Sequence, residues 1–501
     1  MKIRLIASSD IHGYINPINY VNNNNANIGL LKTISTFNNY KNENTIVIDN
    51  GDILQGSPLM TYFYSNKKGI NPIINILNEN YDYINIGNHD FGYGQNNLIE
   101  YINSFNGACL CGNVKYNGKN IGNEYVIHNF DKDNSIAIIG CVTQYVERFE
   151  SEENLKGFEF EDCYEFVKKQ INVIKKNENV KAIVVVYHGG FEADFEGNFI
   201  ESGDENEGYR MCKDLNFDIL ISGHQHRSIA SNCCGKIVTQ TSCNGKEFAL
   251  VDFDLDNKIG SAELISSTYD VSNKQVERYK HLEENAQNWL DQDIAKIENI
   301  DLKIEDEISA RINKHPLVSF INQVERDATN ADLCSTALFN KATGFNKNIT
   351  MRDLISTYVY ENTLVKLKIT GKVLKQYLEK NAEYFTLVND EIKVAEKYLK
   401  PVERHFDYDM IDGIEYTIKV SNQIGNRIIE MKYNGTDIKP DDEFSITVNN
   451  YRYGGVGGFE FLHDLPVIQT YDKDMVTLIY NYLVNNSQIV VNHKNNIKVI
   501  K

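Results

Sequence analysis

Several stretches of the chain run mostly apolar and then break into polar side chains, usually with a glycine: KIRLIASSD, TIVIDNGD, YDYINIGNHD, KAIVVVYHGG and FDILISGHQH. Short runs rich in Ile, Val and aromatics, ended by turn-forming residues, predict buried strands that run out into loops. Their polar ends then gather along one rim of a sheet. From Asn273 to Ile312 the pattern becomes charged and helical, which predicts a connector with at least one long helix. The remainder mixes helical stretches such as ITMRDLISTYVYEN and GKVLKQYLEKNAEYF with strand-like LVKLKIT, IEYTIKVS and FSITVNN, an α+β pattern. VNNNNAN at 21–27 reads as a solvated loop, and there is no internal repeat.

A chain of 501 residues exceeds one ordinary core. The pattern changes divide it into 1–272, a helical linker 273–315, and 316–501. A net charge of −18 argues against nucleic-acid or membrane-surface partners, which need basic surface. No apolar run approaches the ~18 residues of a membrane span. MKIRLIASSDIHG starts directly on the first strand, with too short an apolar run for a secretory signal, so the cytoplasm is the expected compartment. The nine cysteines include Cys109, Cys111, Cys233 and Cys234 but no two CxxC pairs, which points to buried, reduced thiols rather than a zinc ribbon.

The rim carries chemistry. Asp10, His12, Asp52, Asn88, His188, His224 and His226 all follow or end predicted strands. Two carboxylates, four imidazoles and a carboxamide suit hard and borderline dications; Zn, Mn, Fe and Co all fit, and Mg alone predicts fewer histidines. Two such ions roughly 3.5 to 4 Å apart repel by about 18 kcal/mol at an effective dielectric of 20. A bridging anion is required, and Asp52 is the candidate. His128, His315, His405, His463 and His493 lack this context and are expected on surfaces or in ordinary hydrogen bonds.

On these motifs, residues 1 to about 260 resemble the calcineurin-like metallophosphoesterases of the 5'-nucleotidase branch. The resemblance implies an α/β metallophosphatase domain, a four-layer α-β-β-α sandwich, joined by its helical linker to an α+β nucleotide-binding domain, with the linker acting as a hinge. It places Asp10, His12, Asp52 and His226 on one divalent ion and Asp52, Asn88, His188 and His224 on a second, and makes His89 the catalytic histidine that donates to the phosphoryl group or leaving oxygen. Periplasmic 5'-nucleotidases carry an Asp three residues further on to orient that histidine. Here the position is Gly92, so another group must set the tautomer of His89. Relatives are usually exported, which the expected cytoplasmic location does not match.

IDNGDILQGSPL, the GHQH ending in His226, TMRDLISTYVYENTL, LEKNAEYF and VNNYRYGGVGGF resemble the 2',3'-cyclic-nucleotide 2'-phosphodiesterase/3'-nucleotidases across nearly the whole chain. This implies a nucleotide substrate, 2',3'-cyclic, 3'- or 5'-linked, held by the C-terminal domain. Aromatic faces on both sides of a base supply on the order of 1 to 3 kcal/mol per stack. The resemblance puts one such ring at or near Tyr408 and the other at Tyr453 or Phe459, while Asn362, Asn450, Arg452 and Asp464 are candidates for ribose or base edges. NNYRYGGVGG lacks the GK[ST] ending of a P-loop. The expected reaction opens a 2',3'-cyclic phosphate at the 2' oxygen and then releases phosphate from the 3'-nucleotide. The rivals are a 5'-nucleotidase or nucleotide-diphosphate-sugar hydrolase on the same metals, and a metal-dependent nucleotide-binding protein without turnover.

Overall fold

The computed structural model of the chain describes every residue except 67–70, 199–204, 361, 401, 472 and 487–488. Two compact units result, Met1–Gln287 and Asn288–Lys501.

The first unit is built on two six-stranded sheets. One has the order Ile259–Ser266, Glu247–Asp254, Lys2–Ser8, Thr45–Asp49, Tyr83–Ile84, Ala108–Cys109; the other runs Ile229–Cys233, Lys236–Gln240, Ile219–Ser222, Ala182–His188, Ser135–Val142, Val126–Asn129. Period-two alternation explains the layering. Ile3, Leu5, Ile46 and Ile48 of the first sheet pack between the sheets with Ile136, Ile138, Val184 and Val186 of the second. The alternate residues of the second sheet, Ala137, Ile139, Val185 and Tyr187, instead meet Phe166, Val167 and Ile171 of the helix Cys163–Asn177. On the outer side of the first sheet, Phe37 of the helix Leu30–Phe37 meets Phe248 edge to face at 6.0 Å. This is the four-layer sandwich expected.

Lys2–Ser8, Thr45–Asp49 and Tyr83–Ile84 are mutually parallel, as are Ser135–Val142, Ala182–His188, Ile219–Ser222 and Lys236–Gln240. Parallel strands end together, and ligands of open α/β sheets gather at their carboxyl ends. Every expected metal ligand lies there: Asp10 and His12 two and four residues beyond Ser8, Asp52 three beyond Asp49, Asn88 four beyond Ile84, His188 the last of its strand, and His224 and His226 just beyond Ser222. Residues 21–27, expected as a loop, contribute one side of a short exposed hairpin, Ile18–Asn19 against Asn24–Asn25.

The segment read as a linker is divided between the units. Its helix is Asn273–Leu290. Glu283 within it accepts from Asn16 Nδ2 at 2.7 Å and from the Tyr20 hydroxyl at 2.9 Å, which ties most of the helix to the first unit. Asp293–Lys296 and Leu302–Lys303 are short strands paired with Asn348–Thr350 and Gly344–Phe345 of the second unit. The second unit holds a five-stranded sheet, Asp409–Asp412, Leu333–Ala337, Glu443–Asn449, Leu364–Thr370, Val467–Tyr471, and a four-stranded one, Thr436–Asp437, Ile428–Tyr433, Glu415–Lys419, Ile497–Ile500. Its helices start on side-chain caps; Thr350 and Asp353 form a reciprocal capping box for Met351–Thr357. No described helix is long and apolar enough to cross a membrane. The cysteines are free thiols, all buried but Cys234 and Cys243.

Candidate metal centre

The loops at the sheet rim bring six side chains, far apart in the chain, into two adjoining groups. Asp10, His12 and His226 form one, and Asp52, His188 and His224 form the other. In the first, His226 Nε2 lies 2.9 Å from His12 Nε2 and 3.3 Å from Asp10 Oδ1. In the second, His188 Nε2 lies 3.2 Å from Asp52 Oδ2, and His224 Nδ1 lies 2.8 Å from Asn88 Oδ1. Asp52 Oδ2 also stands 4.0 Å from His12 Nε2, so one carboxylate oxygen faces both groups. Its other oxygen is engaged, accepting from the His89 backbone N–H at 2.7 Å.

The backbone is bent to make this possible. Asp10 (φ 58°), His12 (51°), Asp52 (54°), His224 (72°) and His226 (56°) all occupy the left-handed region. For residues with a Cβ this costs on the order of 1 kcal/mol each and persists where the surroundings over-determine it. Gly87 allows the closest approach: a Cβ there would lie 2.2 Å from Asp52 Oδ1.

Each of three histidines has its second nitrogen held. His12 Nδ1 is 3.0 Å from the Gln55 carbonyl, His188 Nδ1 is 2.7 Å from the Asn50 carbonyl, and His224 Nε2 is 2.8 Å from Glu205 Oε1. A ring N–H given to a carbonyl or carboxylate leaves the opposite lone pair for a metal. Asp90, buried beside them, accepts from the backbone N–H of Gly87, Asp52, Ile53 and Leu54 at 2.8 to 2.9 Å and so clasps the two loops carrying Asp52 and Asn88. Asn85 Nδ2 reaches Asn50 Oδ1 at 3.1 Å and the Cys141 carbonyl at 2.9 Å, which joins the rims of the two sheets. Asp90 was visible in GNHD only as a neighbour of the ligand, and nothing in the sequence around Glu205 marks it.

The electrostatics call for cations. Burial alone pushes both carboxyls up, yet the hydrogen bond to His226 with the charges of His188 and His226 holds Asp10 at about 2, and His188 and His89 hold Asp52 well below the usual range. In return His188 is raised to about 10 against burial by the Asp52 charge. His12 is lowered to about 4, chiefly by burial. Asp52 Oδ2 and His188 Nε2 are buried and, though near each other, lack hydrogen-bond geometry with any described group. Buried polar atoms left unsatisfied and aimed at a common point fit a divalent pair held by carboxylate and imidazole.

In the second unit the expected substrate residues are largely spent on the fold. Arg452 is 2% exposed; its Nε donates to Asp409 Oδ2 at 2.6 Å, its other nitrogens reach the Val456 and Phe406 carbonyls, and its guanidinium lies 3.9 Å over the Phe459 ring. Tyr408 is fully buried, stacked on Tyr384 at 4.9 Å and 15°, and Phe459 is buried edge-on to Tyr377. Of the rings expected to stack, Tyr408 and Phe459 are therefore turned into the core, which leaves Tyr453 as the alternative for the second ring and no open ring at Tyr408 itself. Asn450 is tied to Thr363, accepting from its N–H at 3.1 Å. Tyr453 is half-buried with its ring 5.1 Å from His463, Asn362 is half-buried, and Asp464 is exposed. Phe406 and Tyr451, half-buried and 6.1 Å apart, are further aromatic surfaces in the same loops. Their sequence signal was the same as that of their buried neighbours.

Comparison with known proteins agrees with both halves. Residues 3–228 match the calcineurin-like phosphoesterase family and residues 293–464 match the 5'-nucleotidase C-terminal domain. A 2',3'-cyclic-nucleotide 2'-phosphodiesterase/3'-nucleotidase from Haemophilus influenzae is 24% identical over 91% of this chain and 80% of its own. The trifunctional nucleotide phosphoesterase protein YfkN of Bacillus subtilis is 26% identical over 98% of this chain, which spans 38% of that longer protein. Among solved structures, a Staphylococcus aureus protein provisionally assigned as a 5'-nucleotidase, in complex with alpha-ketoglutarate, is 32% identical with a TM-score of 0.91 over the full length of both chains.

Proposed function

Because the chain belongs to the calcineurin-like phosphoesterases that carry a 5'-nucleotidase C-terminal domain, we propose that it hydrolyses nucleotide phosphoesters, opening 2',3'-cyclic nucleotides at the 2' oxygen and releasing phosphate from the resulting 3'-nucleotides. The observation that carries this reading is the position of Asp52 Oδ2, 3.2 Å from His188 and 4.0 Å from His12, between two groups of ligand type. Asp10, His12, Asp52 and His226 would hold one divalent ion, and Asp52, Asn88, His188 and His224 would hold the other. Zn, Mn, Fe and Co all suit this donor set, so supply decides among them. When bound, the ions supply Lewis acidity and a water activated for attack on phosphorus.

The chain's own residues do the rest. His89, next to Asn88 and half-buried, gives a proton to the oxygen that leaves phosphorus, the 2' oxygen in the first step and the 3' oxygen in the second. Each step consumes one water. The second unit recognises the nucleoside, with Tyr453 and its half-buried neighbours Phe406 and Tyr451 as the stacking surfaces and Asn362 and Asp464 as polar contacts.

Likeness to the Staphylococcus aureus protein over the whole length favours a second reading, 5'-nucleotidase action by the same centre. Phosphate release from 2',3'-cyclic AMP, 3'-AMP and 5'-AMP with added Mn or Zn, and after chelation, separates the two. Activity on the first two supports the proposal. Activity on 5'-AMP alone supports the second reading, and metal-replete protein inert on all three overturns both.

A further inference from the structure

Gln55 touches two histidines of the centre with different atoms. Its backbone carbonyl meets His12 Nδ1, whereas its side-chain oxygen lies 3.1 Å from His89 Nδ1. The side chain is 7% exposed and packs against Gly92. Gly92 has φ −63° and ψ −20°, a backbone shape open to any residue, so the chain path does not demand glycine there. Space does. A Cβ at 92 would lie 2.4 Å from both Nε2 and Oε1 of Gln55, below any real contact. The bare position and the amide are two halves of one fit.

We infer that Gln55 is the positioning residue for His89. Its amide oxygen accepts Nδ1–H, which fixes the tautomer and the plane of the ring and assigns the proton chemistry to Nε2. The inference rests on the hydrolytic reading for its consequence, but its geometry stands apart from it. Main chain and side chain also divide the labour: truncating the side chain leaves the carbonyl that orients His12, so metal binding and His89 orientation separate experimentally. The effect belongs to kcat, because an imidazole turned out of line still leaves the ligands and the nucleoside contacts in place.

The test compares four variants of the full chain. Gln55→Ala lowers kcat about 10- to 100-fold, with KM and metal content near wild type. Gln55→Glu, which keeps an acceptor at the same reach, recovers most of that loss. Gly92→Asp alone is impaired by crowding against Gln55, whereas Gln55→Ala with Gly92→Asp is faster than either single variant, because the new carboxylate fills the vacated place beside Nδ1. Independent lesions add; these compensate. Histidine 15N spectra of the zinc-loaded protein, assigned with His89→Ala, supply a readout that needs no turnover: His89 carries its proton on Nδ1 in wild type and loses that preference in Gln55→Ala. Gln55→Ala with wild-type kcat, a double variant no better than the singles, or an unchanged His89 tautomer overturns the inference. Wild-type protein inert on every phosphoester overturns the proposed function instead, and the spectra still decide the role of Gln55.

Discussion

Each unit buries a cluster of charge, and the two clusters end differently. In the first unit Asp10 and Asp52 face imidazoles, and Asp52 Oδ2 and His188 Nε2 keep unsatisfied, inward-aimed atoms. In the second, Asp409 Oδ2 accepts from Arg452 Nε and from the Tyr377 hydroxyl, both at 2.6 Å, and Arg452 fills its remaining nitrogens with carbonyls. In one cluster the leftover atoms belong to ligand-type groups that face one another, while in the other Arg452 answers Asp409 directly and the leftovers, Asp407 Oδ1 and the Glu325 carboxyl, lie around that pair. The carboxylates are alike; their partners differ, imidazoles with a free lone pair in one and a guanidinium that stays charged in the other.

The largest effect expected lies in the first cluster. His89→Ala lowers kcat by about 10²- to 10⁴-fold with metal content unchanged; loss of metal in step with activity would make His89 a ligand rather than a proton donor. In the second cluster, Arg452→Met removes one partner of a buried pair and costs about 3 to 5 kcal/mol of stability, read by denaturant unfolding, while KM of the folded protein stays near wild type. An unchanged stability with a raised KM would turn Arg452 back into a substrate group. Tyr453→Ala, at the half-exposed edge of the same loops, weakens KM by the worth of one stack, about 1 to 3 kcal/mol, without changing stability.

The smallest effect is on pH dependence. Glu325 is fully buried and its carboxyl is raised well above 4.5, first by burial and then by the charge of Asp409. The folded state therefore keeps a proton that the unfolded chain has released, and Glu325's contribution to stability falls as pH rises from 4.5 toward the folded value. Glu325→Gln removes that slope and gains on the order of 1 kcal/mol at neutral pH. A stability difference between Glu325→Gln and wild type that stays constant across this range would show that Glu325 is ionised in the fold and has found a cation.

The first cluster was legible because five predicted strands in succession end in Asp, Asn or His; any one such end is an ordinary turn, and all five together are not. The left-handed φ of Asp10, His12, Asp52, His224 and His226 is the structural form of that signal. What supports the ligands was hidden. Glu205 reaches His224 from a loop with no pattern, and Gln55 reaches His89 across 34 residues. The second unit's elements were legible from period and capping, but not which aromatic faces open outward. Tyr408 and Phe406 stand two residues apart, one inside a core with Tyr384 and the other half-buried, and only tertiary packing separates them.

The central claim is that two divalent ions share Asp52. Metal counting on purified, Mn- or Zn-reconstituted protein tests it directly: wild type holds two ions per chain, and Asp52→Asn, which removes one of the two carboxylates of the first set and the only one of the second, falls below one. Asp52→Asn still carrying two ions per chain at the wild-type affinity would contradict it.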